Sequence, residues 1–165
     1  MKDGLETTPE ATEVNTGVSS PKAVADGLSQ VLTDTYTLLL KTHIYHWNVE
    51  GPLFYSVHNL TEEQYGALFE ATDELAERIR ALGQLAPMSI GDILAGTKVQ
   101  DTAKSPSATE MVADLAQDHE QLASQMHKLI RLSEEHNDDV TADMATARAA
   151  FHEKAAWMLR AIAKS

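Results

Sequence analysis

Apolar positions recur with a helical period over four long stretches, and no segment alternates in the two-residue rhythm of a half-buried strand. The first stretch opens at Ser20-Pro21, an N-cap residue followed by proline at the first helical position, and runs through Val24, Leu28, Val31, Leu32 and Leu39 to about Val49. Gly51-Pro52 breaks it. A second helix then presents Tyr65, Leu68, Phe69, Thr72, Ala76 and Ile79 as its apolar face and stops at Gly83, suited to a left-handed C-cap. Pro87, Gly91 and Gly96 punctuate the connector that follows, where the segment from Ile90 to Ala95 supports one or two helical turns. A third helix follows Ser105-Pro106 and turns Met111, Leu115, Leu122, Met126 and Leu129 inward. The fourth begins near Asp138-Asp139 and uses Val140, Met144, Ala147, Phe151, Ala155, Met158 and Ile162. Residues 1–20 hold only isolated hydrophobes among Thr, Glu, Gly and Ser, too little apolar surface to offset the entropy of ordering. The expected organisation is a disordered acidic tail over 1–20 and one helical domain over 21–165.

Four helices of roughly 25 residues joined by one long connector predict an all-α fold, the ferritin-like four-helix bundle with a short helix in the crossover between helices two and three. A chain of 165 residues is long enough to bury its own core. With no cysteine, thiol nucleophiles, zinc fingers and iron–sulfur clusters are excluded, and a bound metal must use His or carboxylate. Thirteen Lys and Arg against 25 Asp and Glu give a net charge of −12, the wrong sign for gripping phosphate backbones and the right one for attracting cations. No apolar run approaches the roughly 18 residues that span a bilayer. The opening Met1-Lys-Asp-Gly-Leu-Glu lacks the basic and apolar blocks of a secretion signal, so the expected location is the cytoplasm.

The clearest chemistry lies between Lys41 and Gly83. At about 100° per residue, His58, Glu62, Asp73 and Glu77 fall near 0°, 40°, 60° and 100°, a stripe beside the apolar face that looks out of the bundle. Glu62 and Asp73 are separated by roughly 16 Å along the helix, at about 1.5 Å per residue, more than one metal site spans. Two copies of this helix packed antiparallel about a two-fold axis would bring the His58/Glu62 end of one against the Asp73/Glu77 end of the other and create two identical sites. Gly66 near the midpoint leaves room for such a crossing, and His46, just before the Gly-Pro break, can reach the His58 end. Imidazole and carboxylate together suit iron, zinc or manganese.

At these residues the chain resembles the Dps family of miniferritins. The segment His46-Trp-Asn-Val-Glu-Gly-Pro-Leu-Phe-Tyr-Ser-Val-His58, with Glu62, Asp73 and Ala76-Glu-Arg-Ile79 up to Leu82-Gly83, follows the family signature closely, and the helix pattern matches from about residue 22 onward. The resemblance implies a dinuclear ferroxidase centre in which His46, His58 and Glu62 of one subunit and Asp73 and Glu77 of another bind two irons, with Glu77 as bridge. Many members have Asp where this chain has Glu62. It further implies oxidation of Fe(II), preferably by hydrogen peroxide, and storage of ferric mineral in a hollow dodecamer built from two-fold dimers, protecting DNA from oxidative damage. Zinc or manganese are implied competitors. Trp47 is similar to the family tryptophan held to trap a stray oxidising equivalent, and Glu134, Asp139 and Asp143 match acidic positions that line three-fold pores. Family members that condense DNA use Lys- and Arg-rich tails. Here Lys2 and Lys22 face Asp3, Glu6, Glu10 and Glu13, so direct DNA binding is expected to be weak or absent.

Two other classes fit the residues less well. A bundle-interior di-iron protein such as an oxygen-using ferritin needs Glu-x-x-His on core-facing positions, and none of the seven histidines has Glu three residues before it. A non-catalytic helical shell or nucleoid-associated module has no use for the acidic tail or the complete ligand set. His43 is expected to be an interface histidine or one that orients a ligand. His119, His127, His136 and His152 lack matched carboxylate spacing and are expected to be solvated or packed.

Overall fold

The computed structural model describes residues 4–102 and 105–164. A 3-10 turn at Gly4–Glu6 precedes five α-helices: α1 (Pro21–Asn48), α2 (Phe54–Ala81), the short α3 (Ile90–Gly96), α4 (Ala108–Glu135) and α5 (Asp139–Ile162). No strand occurs among the described residues. The expected ferritin-like bundle and the helix in its crossover are both present. Helix α1 packs on α2 and α4, and α5 packs on α4 and α2, so the four long helices close a ring around one apolar interior. The α1–α4 seam and the α2–α5 seam lie on opposite sides of it.

Local chemistry accounts for the boundaries. Pro21 starts α1, although the Ser20 side chain makes no capping bond. Ser107, not Ser105, caps α4: its hydroxyl accepts from the Glu110 N–H (3.3 Å) while the Glu110 carboxylate accepts from the Ser107 N–H (2.7 Å). Ser89 and Asp92 make the same reciprocal box on α3. Asp138 caps α5, accepting from the Thr141 N–H at 2.9 Å and hydroxyl at 2.6 Å, and its buried carboxylate also takes the Arg78 guanidinium at 2.7 Å. Gly83 ends α2 in the left-handed region, φ +80°. A side chain there would also strike the Thr12 carbonyl, 2.6 Å from an added Cβ.

That close approach belongs to the N-terminal segment. The Thr12 N–H donates to the Gly83 carbonyl (3.0 Å), Arg80 donates to the Glu10 carbonyl, and the Ser19 N–H donates to the His136 carbonyl (2.9 Å). Residues 10–19 thus lie along the end of the bundle, held by backbone groups rather than by the apolar burial on which the expectation of a disordered tail was based. Residues 1–3 of that tail lie outside the described residues.

The interior has two apolar clusters, one around Leu38, Leu60, Leu68, Leu115, Leu122 and Leu159, the other around Leu28, Leu32, Leu75, Ile79, Met126 and Leu129. All the core positions expected on α1 and α4 are buried. Two faces differ from expectation. On α2 the core line is Val57, Leu60, Gln64, Leu68, Ala71 and Leu75, while Phe69 is 63% exposed and Tyr65 and Ala76 are half-buried. The core line of α5 is shifted by about one residue to Thr141, Ala145, Ala149, His152, Ala155, Ala156 and Leu159, leaving Val140 59% exposed and Ala147 exposed. The alanines let α5 sit close against α4, and the bulky apolar groups fall to the rim.

Candidate metal centre

Rotating the α2 core line moves the acidic stripe further outward than the sequence alone indicated. Glu62, Asp73 and Glu77 are all exposed, and they share their side of the helix with exposed Phe69 and with Gly66, where an added Cβ would meet nothing within 4 Å. Exposed Tyr36, Ile44 and Trp47 on α1 continue this apolar surround. A hydrophobic helix face studded with three carboxylates is the composition of a contact surface rather than of a solvated one.

The histidine end is already organised within one chain. The Gly51-Pro52 turn folds the end of α1 back on the start of α2, so the His46 and His58 rings stack with centroids 3.8 Å apart and planes 18° apart. Each Nδ1 meets the other residue's backbone carbonyl: His46 Nδ1 to the His58 oxygen at 2.9 Å, His58 Nδ1 to the His46 oxygen at 3.0 Å. A carbonyl only accepts, so both Nδ1 atoms carry the proton and both Nε2 atoms keep a free lone pair. The Thr61 hydroxyl, 3.3 Å from His46 Nδ1, donates back to the Val57 and His58 carbonyls and stiffens the same turn. Ligating histidines are held in this way, through the nitrogen that does not bind metal.

Aromatic rings surround the pair. Phe54 stacks on His58 at 4.9 Å, Tyr65 meets His46 edge-on at 5.1 Å, and His43 lies between Trp47 (4.2 Å) and Tyr65 (4.5 Å). His46 is only 8% exposed, so its ring is shielded. His43 makes ring contacts with Trp47, Tyr65 and, at 6.2 Å, His46. The partners of the ring nitrogens, a backbone carbonyl in each case, carry no sequence signal and were not foreseen.

Within one chain the structure unites His46 with His58 and leaves Asp73 and Glu77 farther along α2. No group of three potential metal-binding side chains forms among the described residues. The donor set fits a first-row metal ion: two imidazoles whose Nδ1 atoms are held by carbonyls, and carboxylates on the same helix face that form no ion pair among the described residues.

The other acidic group lies at the α4–α5 turn. Glu134 is in the last turn of α4, Asp139 and Asp143 are one turn apart at the start of α5, and all three are exposed. Asp138 between them is buried and neutralised by Arg78.

Comparison with known proteins agrees with this architecture. The Ferritin-like domain model matches residues 25–165. A low temperature-induced protein of Nostoc is 43% identical over 151 residues, covering 89% of this chain and 84% of that protein. DNA protection during starvation protein 2 of Bacillus anthracis is 32% identical, covering 85% of this chain and 96% of that one. Among solved structures, Dps from Staphylococcus aureus superposes with a TM-score of 0.82 at 33% identity, over 85% of this chain and 94% of that one. A Dps protein from Vibrio cholerae, described as belonging to a broad superfamily of ferritin-like diiron-carboxylate proteins, gives 0.84 at 27% identity, over 94% and 98%. A helical bundle that turns its ligand-type residues outward, matched along nearly its whole length by these relatives, belongs to the Dps family of ferritin-like proteins.

Proposed function

We propose that this protein oxidises Fe(II) with hydrogen peroxide at a site shared between two subunits and stores the ferric product inside a shell. The supporting observation is the reciprocal clamping of His46 and His58, which engages both Nδ1 atoms and leaves both Nε2 atoms uncommitted at one end of an outward carboxylate stripe. Antiparallel pairing of α2 about a two-fold axis supplies Asp73 and Glu77 of a second copy to His46, His58 and Glu62 of the first. The exposed apolar groups around the stripe, Tyr36, Ile44, Trp47 and Phe69, are then buried by the pairing.

In this reading two Fe(II) ions are the substrate, and they pass two electrons together to one hydrogen peroxide, which takes up two protons and leaves as two waters. No hydroxyl radical is formed when the electrons arrive as a pair. The imidazoles hold one ion by neutral nitrogen. Glu62 and Asp73 supply the negative charge that favours the higher oxidation state, and Glu77, between the two ion positions, bridges them. Zinc or manganese, which accept the same donors, compete for the site. Trp47, 63% exposed and in ring contact with His43, supplies an electron to an oxidant left unpaired.

The shell is proposed to be a dodecamer built from these dimers. Glu134, Asp139 and Asp143, repeated around a three-fold axis, form an acidic ring whose field concentrates Fe(II). With a net charge of −12 and no basic tail, protection of DNA comes from removing iron and peroxide rather than from coating DNA. The protein is assigned to the cytoplasm. No helix among the described residues is long and apolar enough to cross a membrane.

The test is anaerobic addition of a few Fe(II) per subunit to metal-free protein, followed by peroxide or by air with a radical trap present. Fast ferric absorbance at half a mole of peroxide per iron, slow oxidation in air and little trapped radical are expected. Equal rates with air point to oxygen-using ferritin chemistry, and no acceleration over buffer leaves a non-catalytic shell.

A further inference from the structure

The interior of the bundle contains a polar layer that the metal centre does not use. His119 on α4 and His152 on α5 are fully buried, with Nδ1 atoms 2.9 Å apart, and each has an Nε2 without a hydrogen-bond partner among the described residues. The Thr42 hydroxyl on α1 and both amide atoms of Gln64 on α2, residues 0% and 3% exposed, are likewise unpartnered. Cross-bundle ties fix the levels: His46 on His58, Lys41 on Asp114 and Asp118, Arg78 on Asp138 and Thr141, His119 on His152. Counting along the helices from these ties places Thr42, Gln64, His119 and His152 within about one turn, roughly 5.4 Å, of one level. Each of the four long helices contributes one residue.

The layer continues to both seams. On the α1–α4 side, adjacent Asp118 is 6% exposed and shares the buried Lys41 ammonium with Asp114, each at 2.7 Å, and burial raises the Asp118 pKa. Tyr45 donates to the same Asp114 at 2.6 Å and contacts Thr102 in the connector. Lys41, Tyr45 and Thr102 line a cavity of about 900 Å³ that opens outward between α1 and the crossover. On the α2–α5 side Arg148 lies over the Phe151 ring at 4.2 Å, with Nε and one terminal nitrogen buried and unpartnered. Its charge is felt by both histidines on one side and by exposed Glu70 and Glu74 of α2 on the other. Polar side chains able to hydrogen-bond therefore lie at about one level of the bundle from one seam to the opposite one.

Its chemistry excludes a cation as the occupant. The central donors are neutral, Arg148 is positive, and the nearest carboxylate, Asp118, is committed to Lys41. The mixture of donors and acceptors matches water, which satisfies buried polar groups with about three bonds each. We propose that this layer is a hydrated proton path through the bundle, with His119 and His152 as its central relay.

One ring of the pair carries its proton on Nδ1 and donates it to the bare Nδ1 of the other, whose Nε2 is protonated. A proton delivered by water to the first ring's Nε2 releases its Nδ1 proton to the second ring. The second ring then gives up its Nε2 proton to water on the far side. Each hop breaks one bond to hydrogen as the next forms, and no ring is left charged. The pair resets when the rings swing apart and water reaches both nitrogens of each, taking the proton from one nitrogen as it delivers one to the other. Neutral end states suit a site where burial holds the His119 pKa down to about 3 and depresses His152 as well.

The purpose of such a path rests on the reading under Proposed function. Two Fe(II), one hydrogen peroxide and two waters give two FeOOH and four protons, and those protons must leave a closed shell. The α1/α2 face is the one assigned to the two-fold contact, so the two seams look toward the two sides of the resulting wall.

Two measurements on the intact protein decide the matter. A crystal structure of the metal-free assembly at atomic resolution is expected to show ordered water on Gln64 and on at least one of the two Nε2 atoms; a dry contact there overturns the proposal, whether or not the protein oxidises iron. In stopped flow with a pH dye, after Fe(II) and peroxide, Gln64→Leu and Arg148→Met are each expected to slow proton release several-fold while the ferric absorbance rises at the wild-type rate. Release at the wild-type rate in both variants means that protons leave through another route and overturns it. Should Gln64→Leu fail to fold, Arg148→Met and the crystal structure carry the decision.

Discussion

The molecule contains two histidine pairs, and their difference lies in what each Nδ1 touches. His46 and His58 sit where α1 turns into α2, give their Nδ1 protons to backbone carbonyls and keep both Nε2 lone pairs free. His119 and His152 sit in the middle of the bundle, give one Nδ1 proton to each other and bury both Nε2 atoms. A carbonyl fixes a tautomer because it can only accept, whereas a second imidazole leaves the proton's position exchangeable. The first arrangement suits the proposed metal ligands and the second the proposed proton relay. The residue type is identical, and the chemistry is decided by the neighbouring acceptor and by access to solvent.

The sharpest way to break the comparison is to remove the carboxylates that complete the outer pair. Asp73→Ala is expected to lower peroxide-dependent iron oxidation by about 100-fold, at or beyond the range seen for lost ligand support, with thermal stability unchanged because the side chain is exposed. Wild-type rates would show that the histidines act without a second copy.

The inner pair answers to pH instead. Its pKa values are lowered in the folded state by burial, with the Arg148 charge adding to both and His119 acting on His152. The unfolded chain therefore binds more protons below about pH 6.5, and stability present above that value falls as the pH drops toward the folded pKa, about 3 for His119. Between pH 6.5 and 5 the loss amounts to about 2 kcal/mol for His119, at about 1.4 kcal/mol per pH unit, and His152 acts in the same direction. Denaturant midpoints across this range read the slope, and His152→Phe is expected to flatten it. An unchanged slope would mean that the pair is not the acid-sensitive element.

Thr61→Val probes the support of the outer pair alone. Losing the hydroxyl beside His46 Nδ1 is expected to weaken Co(II) or Zn(II) affinity by about tenfold, as for other groups that orient a ligand, while leaving the pH slope in place. An effect on both properties would show that the two pairs are coupled.

The smallest expected signal is the most specific for a shared site. Refolding an equal mixture of His58→Ala and Asp73→Ala chains should recover about a quarter of the wild-type oxidation rate, because half of randomly mixed two-fold dimers are hybrids and each hybrid keeps one intact site. Recovery needs His58 of one chain and Asp73 of the other. No recovery would place the whole site within one subunit.

Much of the fold was legible because its signals are local. Pro21, the Gly51-Pro52 break and the left-handed Gly83 mark helix ends through backbone restrictions that act wherever the chain is. The α1 and α4 faces read correctly because their large apolar residues have only the interior to fill. The α2 and α5 faces read incorrectly for complementary reasons. Phe69 is apolar but lies on the outer face of α2, so periodicity counted an exposed apolar residue as core. On α5 the core keeps the expected Ala155 but also uses Ala145, Ala149 and Ala156, whose weak individual signal lost to the bulkier Val140 and Met144 at the rim. The start of α4 after Ser105-Pro106 was legible, while the capping box of Ser107 with Glu110 was settled by the backbone geometry.

For the candidate site, the sequence by itself determined the residue types, the spacing of Glu62, Asp73 and Glu77 along one helix and the distance that prevents one chain from gathering them. These follow from the fixed rise and turn of an α-helix. Only the tertiary structure decided that His46 and His58 face each other, which nitrogen each leaves free, and that His119 and His152 meet in the core. Those outcomes depend on how α1 folds back on α2 and how closely α4 approaches α5, distances set by packing between segments far apart in the chain.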